Sequence, residues 1–430
     1  MFKKYPLALY LTWLIILFIV PLPLVFLLNT GLLDSPSNLL TYDAGVAAYT
    51  WWLTIIFLST RPQWLDRLIG IPSMYFIHGM IGVLALGLAS FHVLNAFSMG
   101  TLIKNLGNTA WYLSIFSVLY AAFFLSGWLV DHFSLAAKTK QKLQFIFKHQ
   151  ISIWIHRINF IVIGLIWLHV HVIVRINRIS SFMILFDLYT IVSLSLYGWK
   201  KFVASAADSI NGQVISNISV NSHVYQLKIK LNPHAKKYRA GDFYFLSFRN
   251  VLGISSEPHP FSVTYSPTNT PNLVTFTIQS HGDFTSKLGA IPIGSDVKLE
   301  GPFGRFSSII EAASIEQPLV FIGMGTGIAP LLSLTQQYFK THKIHVLWSA
   351  HNSTDFYYQQ EFNKLVPKIT YEQHLRRFTK TDYQNKLTEK EFSSGLFFIV
   401  GPAPGIIATE KALHQLDVKR AQLIDERLTM

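Results

Sequence analysis

The chain has 430 residues, half of them apolar, with a mean hydropathy of +0.34 and no cysteine. That hydropathy is too high for an ordinary soluble enzyme, and the missing thiols exclude disulfides, iron–sulfur clusters, thiolate-ligated haem and zinc ribbons, so any metal centre must use nitrogen or oxygen ligands. The net charge of +13 invites a nucleic-acid reading, but residues 1–202 hold fourteen Lys/Arg against five Asp/Glu (+9) and the remainder carries only +4; a basic excess beside apolar runs suits anionic headgroups better than DNA.

Apolar runs lie at about 7–28, 43–60, 72–99, 109–130, 151–175 and 181–198. Each is long enough to cross a hydrocarbon core, so the pattern predicts six transmembrane helices. The first run follows Lys3 and Lys4 but is too long for a secretory signal, and Pro21 and Pro23 precede no small-residue cleavage site. Alternate connections hold eleven basic residues (Lys3, Lys4, Arg61, Arg67, Lys138, Lys140, Lys142, Lys148, Arg157, Lys200, Lys201) against three (Lys104, Arg175, Arg178). This asymmetry predicts a multi-pass protein of the cell membrane with the N-terminus and everything after Lys201 in the cytoplasm.

Two of the runs carry paired histidines: His78 and His92 are fourteen residues apart, His156 and His169 thirteen. An imidazole inside lipid is costly unless it has a partner, which makes each a functional candidate. At about 1.5 Å per residue the members of a pair lie roughly 20 Å apart along the helix, one near each face of a core about 30 Å thick. The pattern suggests two stacked metal centres. Fourteen residues bring an ideal helix to about 40° short of four turns, so His78 and His92 share a face. Thirteen leave His169 about 140° from His156, whereas His171 is about 60° off. Ideal geometry prefers His171 as the outer ligand; a bend, a wide turn or slack near Gly164 would bring His169 round. Gly79, Gly82 and Gly87 allow close approach of a flat macrocycle or another helix. Ligation by two neutral imidazoles suits haem iron in electron transfer, while zinc would want ligands converging on one point. The plainer alternative is four core histidines without metal.

After Lys201 the pattern changes to short β-branched and aromatic runs such as HVYQLKIKL and GDFYFLSFRN, predicting an antiparallel barrel to about residue 305. It contains His259-Pro260-Phe261-Ser262-Val263-Thr264 and, after the strand LVTFTIQS, Gly282-Asp283-Phe284-Thr285. A glycine loop with hydroxyls in that place can hold a pyrophosphate on its backbone N–H groups. From residue 318 the order becomes strand PLVFIG, loop GMGTGIAP, helix LLSLTQQYF, strand IHVLWSA. Gly323, Gly325 and Gly327 therefore close a strand and open a helix, where glycines let phosphate approach a helix N-terminus. A later strand, GLFFIV, ends at Gly401-Pro402-Ala403-Pro404-Gly405. In such sheets ligands bind at the carboxyl ends of the strands, where both loops belong.

Taken together, the His spacings, HPFSVT, GDFT, GPFG, GMGTGIAP and the late Gly-Pro turn occur in an order that resembles the transmembrane NADPH oxidases and ferric reductases, bacterial members included. The resemblance spans essentially the whole chain. It implies an α-helical membrane domain of six transmembrane helices (1–202), then a ferredoxin-NADP reductase-like module made of an antiparallel β-barrel FAD domain (203–308) and an NADPH-binding α/β domain (309–430). It implies two b-type haems, one between His78 and His156 on the cytoplasmic side and one between His92 and His169 on the outer side, turning the choice toward His169 by analogy. His259, Pro260, Phe261 and Ser262 would line the isoalloxazine, and Gly282, Asp283 and Thr285 would hold the FAD pyrophosphate. Gly323, Gly325, Thr326 and Gly327 would face the nucleotide pyrophosphate, Ser349 and His351 the adenosine ribose, and Gly401 and Pro402 the nicotinamide side. Relatives often carry Arg where His351 stands; Arg376 and Arg377 would supply that charge, which favours NADPH with NADH as the alternative. Val400 replaces a usual Cys, and Leu428 a C-terminal aromatic that covers the flavin. The implied activity is oxidation of cytosolic NADPH through FAD and the haems, reducing dioxygen to superoxide outside. The alternatives are a ferric or cupric reductase of the same architecture, and a haem membrane adaptor serving a partner protein. The expected partners are a small-molecule acceptor and the bilayer, with no nucleic acid and no obligatory protein.

Overall fold

The computed structural model describes residues 6–33, 38–98, 100–125, 134–143, 149–204, 210–233, 235–248, 251, 253–268 and 272–425. The chain divides into a helical unit, Leu7–Pro62 with Pro72–Val203, and a second unit that takes in Gln63–Ile71 and Ala204–Leu428.

The helical unit begins with α1 (Pro6–Leu14), which passes through a π-turn at Ile15–Ile19 into α2 (Leu22–Gly31), followed by α3 (Leu39–Ser59). A short helix α4 (Gln63–Ile69) belongs to the other unit. The helical unit continues with α5 (Ile71–Asn95), α6 (Thr101–Phe124), α7 (Ser134–Leu143), α8 (His149–His156), α9 (Ile158–His171), α10 (Val174–Asn177) and α11 (Ser180–Gly198). Among the described residues four stretches are long and apolar enough to cross a membrane: Leu7–Gly31, Ile71–Asn95, Ile151–His171 and Ser180–Val203. The two other expected spans, 43–60 and 109–130, fall on α3 and α6, with 126–130 outside the described residues. Both helices are long but too polar to meet the same measure, because their polar side chains have partners inside the bundle. Tyr49 of α3 bonds Thr190 of α11 (2.9 Å), Asn159 Nδ2 donates to Ser117 of α6 (2.7 Å), and Trp111 Nε1 donates to Ser90 (2.9 Å).

In the second unit, β1 (Ile210–Asn221), β2 (Val224–Leu231), β3 (Phe243–Phe248), β4 (His259–Ser262), β5 (Leu273–Gln279) and β6 (Asp296–Phe303) form an antiparallel sheet of order β4-β3-β6-β1-β2-β5. A bridge between Val263 and Phe276 brings its two edge strands together. Alternation puts Leu227, Ile229, Tyr244, Leu246, Val297 and Leu299 in one core. Every residue of β3 is buried, since Phe243 and Phe245 also pack on Phe303.

The α/β part has α12 (Phe306–Ala312), β7 (Leu319–Met324), α13 (Ile328–Tyr338), β8 (Ile344–Ala350), α14 (Gln359–Asn363), β9 (Thr370–Leu375), α15 (Lys380–Lys386), α16 (Glu389–Ser394), β10 (Leu396–Val400), α17 (Ala403–His414) and β11 (Leu423–Asp425). Its sheet is parallel, of order β11-β10-β7-β8-β9. Both faces of the sheet are covered, so β7 reads as a continuous apolar run and β8 as a mostly apolar one holding His345 and Ser349, and both are buried throughout. Barrel and α/β parts are joined by Gln226 Nε2 donating to the Tyr358 hydroxyl (2.7 Å) and Ser266 Oγ donating to Gln337 (2.6 Å).

Candidate redox-cofactor sites

In the helical unit the four histidines form two facing couples. The rings of His78 and His156 are 5.9 Å apart, those of His92 and His169 6.4 Å. A ligating imidazole nitrogen sits ~2 Å from its metal and the ring centre about 1 Å farther, so two imidazoles holding one ion between them would lie roughly 6 Å apart. Both couples have that separation. Three of the rings have Nδ1 fixed by a carbonyl: His78 on Ile55 O (3.0 Å), His92 on Thr41 O (2.8 Å) and His169 on Ile103 O (2.9 Å). A carbonyl only accepts, so Nδ1 carries the proton and Nε2 keeps its lone pair for a metal, the usual support of a ligating His. A Cβ built on Gly79, Gly87 or Gly164 meets nothing within 4 Å, leaving room beside these helices, whereas one on Gly45 would lie 2.9 Å from His92 Nδ1. Among the described residues no three His, Asp or Glu side chains converge. The donor set is thus two imidazoles per level with flanking space, and it fits a haem better than an isolated zinc.

Ring geometry places His169, not His171, opposite His92. Part of the rotation this requires comes at Arg157 rather than near Gly164. There Arg157 N reaches both Ile153 O and Trp154 O (3.1 Å each), Phe160 N bonds Arg157 O (3.0 Å), and Asn159 Nδ2 takes His156 O (2.9 Å). The tightened turn winds the helix ahead by ~20° per residue, the direction needed to carry His169 toward the shared face. His171 turns away: its Nδ1 bonds Trp167 O (2.8 Å) and its Nε2 lies 3.3 Å from Asp187, which also accepts from Trp167 Nε1 (2.7 Å).

On the barrel, His259, Pro260, Phe261 and Ser262 are β4 itself, half-buried and paired with Leu246, Phe245, Tyr244 and Phe243. Beneath them lies Phe284, whose ring is 4.2 Å from that of His259 and stacked with that of Phe261. The sequence motif contained Phe284, but only the fold shows it as the floor of this strand. The following turn differs from expectation. The N–H groups of His281 and Gly282 both donate to Thr285 Oγ1 (2.9 and 3.0 Å), so they are committed to the turn rather than offered to a phosphate. Gly282 and Asp283 are exposed beside it, with no atom near where a Gly282 Cβ would be.

The parallel sheet gathers the nucleotide candidates at one edge. Gly323 ends β7, and Gly325, Thr326 and Gly327 form a single 3₁₀ turn before α13. Gly325 has φ +57°, a left-handed conformation that favours glycine, and Trp348 Nε1 holds its carbonyl (3.0 Å). Gly327 permits a close approach: an added Cβ would stand 2.4 Å from Val400 O. Next along the edge, Ser349 is buried with its hydroxyl toward Gly323 O, while His351 is exposed. Arg376, also left-handed (φ +67°), donates its backbone N–H to Ala350 O (2.7 Å). Arg377 is exposed on the other side, its Nε 3.6 Å from where a Gly405 Cβ would be, beside Gly401 and Pro402 at the start of α17. The glycine turn, Ser349 and the exposed Arg376 and Arg377 thus all lie at or just beyond the carboxyl ends of the parallel strands. Leu428 lies outside the described residues.

Residues 210–307 match the FAD-binding domain family and residues 321–395 the oxidoreductase NAD-binding domain family. The chain is 35% identical over 108 residues to the reductase component of propane 2-monooxygenase of Rhodococcus jostii, covering 24% of this chain and 28% of that one. It is 27% identical over 212 residues to the electron transfer subunit of dihydroorotate dehydrogenase B (NAD(+)) of Fusobacterium nucleatum, covering 47% and 79%. It is 29% identical over 138 residues to ferric reduction oxidase 3, mitochondrial, of Arabidopsis thaliana, covering 29% and 18%. The chain therefore spans less than a third of the first and third of these relatives. Following in sequence a helical region with four apolar spans among the described residues, the chain carries an FAD-binding domain and an oxidoreductase NAD-binding domain, the make-up of an FAD- and NAD-dependent oxidoreductase.

Proposed function

We propose that the chain is a membrane flavocytochrome that oxidises a cytosolic nicotinamide nucleotide, NADPH before NADH, and reduces an acceptor on the outer face, with dioxygen reduced to superoxide as the leading reaction. The observation that carries this reading is the two facing imidazole couples, 5.9 and 6.4 Å apart, which would hold one metal each, on helices of one chain with the FAD- and NAD-binding domains. Bound FAD supplies the conversion of a two-electron donor to single electrons, and two b-type haems supply one-electron carriage. The residues do the rest. His78, His92 and His169 are held by carbonyls with Nε2 presented, and His156 faces His78. Phe284 backs β4 and keeps water from one side of it. Arg376 and Arg377 bring charge to the nucleotide edge. Small-molecule acceptor, lipid bilayer, cytoplasmic termini, six spans and the boundaries 1–202, 203–308 and 309–430 belong to the same reading, which needs no obligatory protein partner.

A ferric or cupric reductase of this architecture is the second reading, favoured by the likeness to ferric reduction oxidase 3. A haem adaptor is disfavoured because the chain carries its own dehydrogenase domains. The test is NADPH consumption by purified protein with FAD under air, then anaerobically with ferric chelate. Cytochrome reduction insensitive to superoxide dismutase, or turnover that requires iron, refutes the oxidase assignment. Haem content separates the ligands: His169→Leu is expected to lose about half the haem and His171→Leu to keep it. Full haem in His169→Leu with loss in His171→Leu transfers the outer ligand to His171, and no haem in the parent protein overturns the flavocytochrome.

A further inference from the structure

The connection between α3 and α5 is flanked on both sides by the helical unit, yet its residues 63–71 pack as part of the dehydrogenase unit. Arg67 grips Asp242 with both arms, Nη1 to Oδ1 at 2.7 Å and Nη2 to Oδ2 at 2.8 Å, and Nη1 also donates to Gly304 O at 2.6 Å. Its neighbour Asp66 accepts from Gly304 N and from Ile71 N, both at 2.9 Å. At the margin Lys236 Nζ donates to Gln63 (2.8 Å). Both carboxylates are about 1% exposed. A buried carboxylate is costly unless paired and hydrogen-bonded, and a bidentate guanidinium is the strongest such partner.

Asp242 is also the residue through which this grip reaches the flavin strand. Its side chain holds Arg67 and accepts from Arg239 N (2.8 Å), while its backbone carbonyl accepts from Val263 N (2.8 Å), the residue directly after Ser262. The next residue, Phe243, pairs with Ser262 itself. Gly304 closes the assembly at φ +125°, where a Cβ would crowd Asp242 Cα and Oδ1 at 3.2 Å. We propose that Arg67, with Asp66, is a positioning residue for the flavin: a residue encoded between two apolar helices fixes the end of the strand that lines the isoalloxazine. Burial pushes the Asp242 carboxyl up to about 6 against the pull of Arg67.

The inference rests on FAD occupying β4, and its test separates the two. Full-length Arg67→Met, Arg67→Lys and the exchange Arg67→Asp/Asp242→Arg are purified, and FAD affinity, flavin absorption and fluorescence, and NADPH:ferricyanide kinetics are measured. Arg67→Met is expected to bind FAD roughly tenfold more weakly with a shifted flavin spectrum, as loss of a bidentate charge-assisted pair implies. The KM for NADPH stays within about twofold, because the contacts lie on the barrel. Arg67→Lys keeps the charge, folds, and falls between; the exchange restores part of the affinity. If Arg67→Lys and Arg67→Met bind FAD as the parent does with the same spectrum, the positioning role is wrong. A parent protein that binds no FAD would instead overturn the flavin reading.

Discussion

Gly327→Ala tests how the nucleotide edge is built. The added methyl would lie 2.4 Å from Val400 O, 2.7 Å from Val400 C and 3.0 Å from Gly401 N, all backbone atoms that no rotamer change can move. Carbon contacts are comfortable near 3.5–4 Å, so the loops after β7 and β10 must part by about 1 Å. Gly323 and Val400 are a register pair of those strands, so the displacement falls on the last rung of the ladder. Overpacking of this kind costs roughly 1–3 kcal/mol. If that strain is relieved at the expense of nucleotide binding, affinity drops roughly 5- to 150-fold. The assay is the KM for NADPH with ferricyanide as acceptor, together with thermal unfolding followed by flavin fluorescence. Gly325→Ala is the control for strain without collision: φ is +57° but nothing lies within 4 Å of its Cβ, so about 1–2 kcal/mol of backbone strain is expected and no loop displacement. Unchanged KM and unfolding temperature in Gly327→Ala would refute the close-approach argument.

Arg377→Met is expected to lower kcat/KM for NADPH roughly tenfold and to leave NADH nearly unchanged, the signature of a guanidinium on a 2′-phosphate; equal losses with both nucleotides would place the residue on the shared pyrophosphate. Acid stability gives a prediction of different origin. Burial alone would raise the Glu391 carboxyl, but hydrogen bonds from His345 and from the Thr388 backbone and hydroxyl outweigh it and hold the group below its usual value. A depressed carboxylate stabilises the fold above its unfolded value of about 4.3 and loses that contribution as pH falls through the folded value. Glu391→Gln should therefore be less stable by roughly 1–3 kcal/mol at pH 7 and converge with the parent in urea unfolding only as pH falls below the depressed folded value of the carboxyl. A constant offset across pH would exclude the charge as the cause.

The FAD- and NAD-binding half was readable because its strands are diagnostic. IHVLWSA is mostly apolar and buried along its whole length, with His345 and Ser349 its polar members, and the glycines of GMGTGIAP sit at a strand–helix junction of the parallel sheet. The helical half was less so. The polarity of α3 and α6 belongs to a tertiary inventory, Tyr49 with Thr190 and Ser117 with Asn159, that no single-helix pattern displays. The same Asn159 bonds the His156 carbonyl where the helix tightens, so the facing of His169 depended on a side chain three residues from the ligand. The occupied N–H groups of the GDFT turn are likewise a consequence of where the Thr285 hydroxyl points. Asp242 was the missed signal: an acidic residue opening an otherwise apolar strand needs a counter-charge, but its distance from Arg67 in sequence hid which one.

That distance has a meaning for biosynthesis. Gly304, which closes around Asp66 and Arg67, leaves the ribosome 237 residues after Arg67. At about 5–20 residues per second the interval is roughly 10–50 s. For that time the connection is already synthesised without the surface it belongs to. A nascent chain cut before Asp242, or a fragment begun after residue 203, would each expose one half of an unsatisfied ionic joint, and the order of translation makes the helix-flanked half the one that waits.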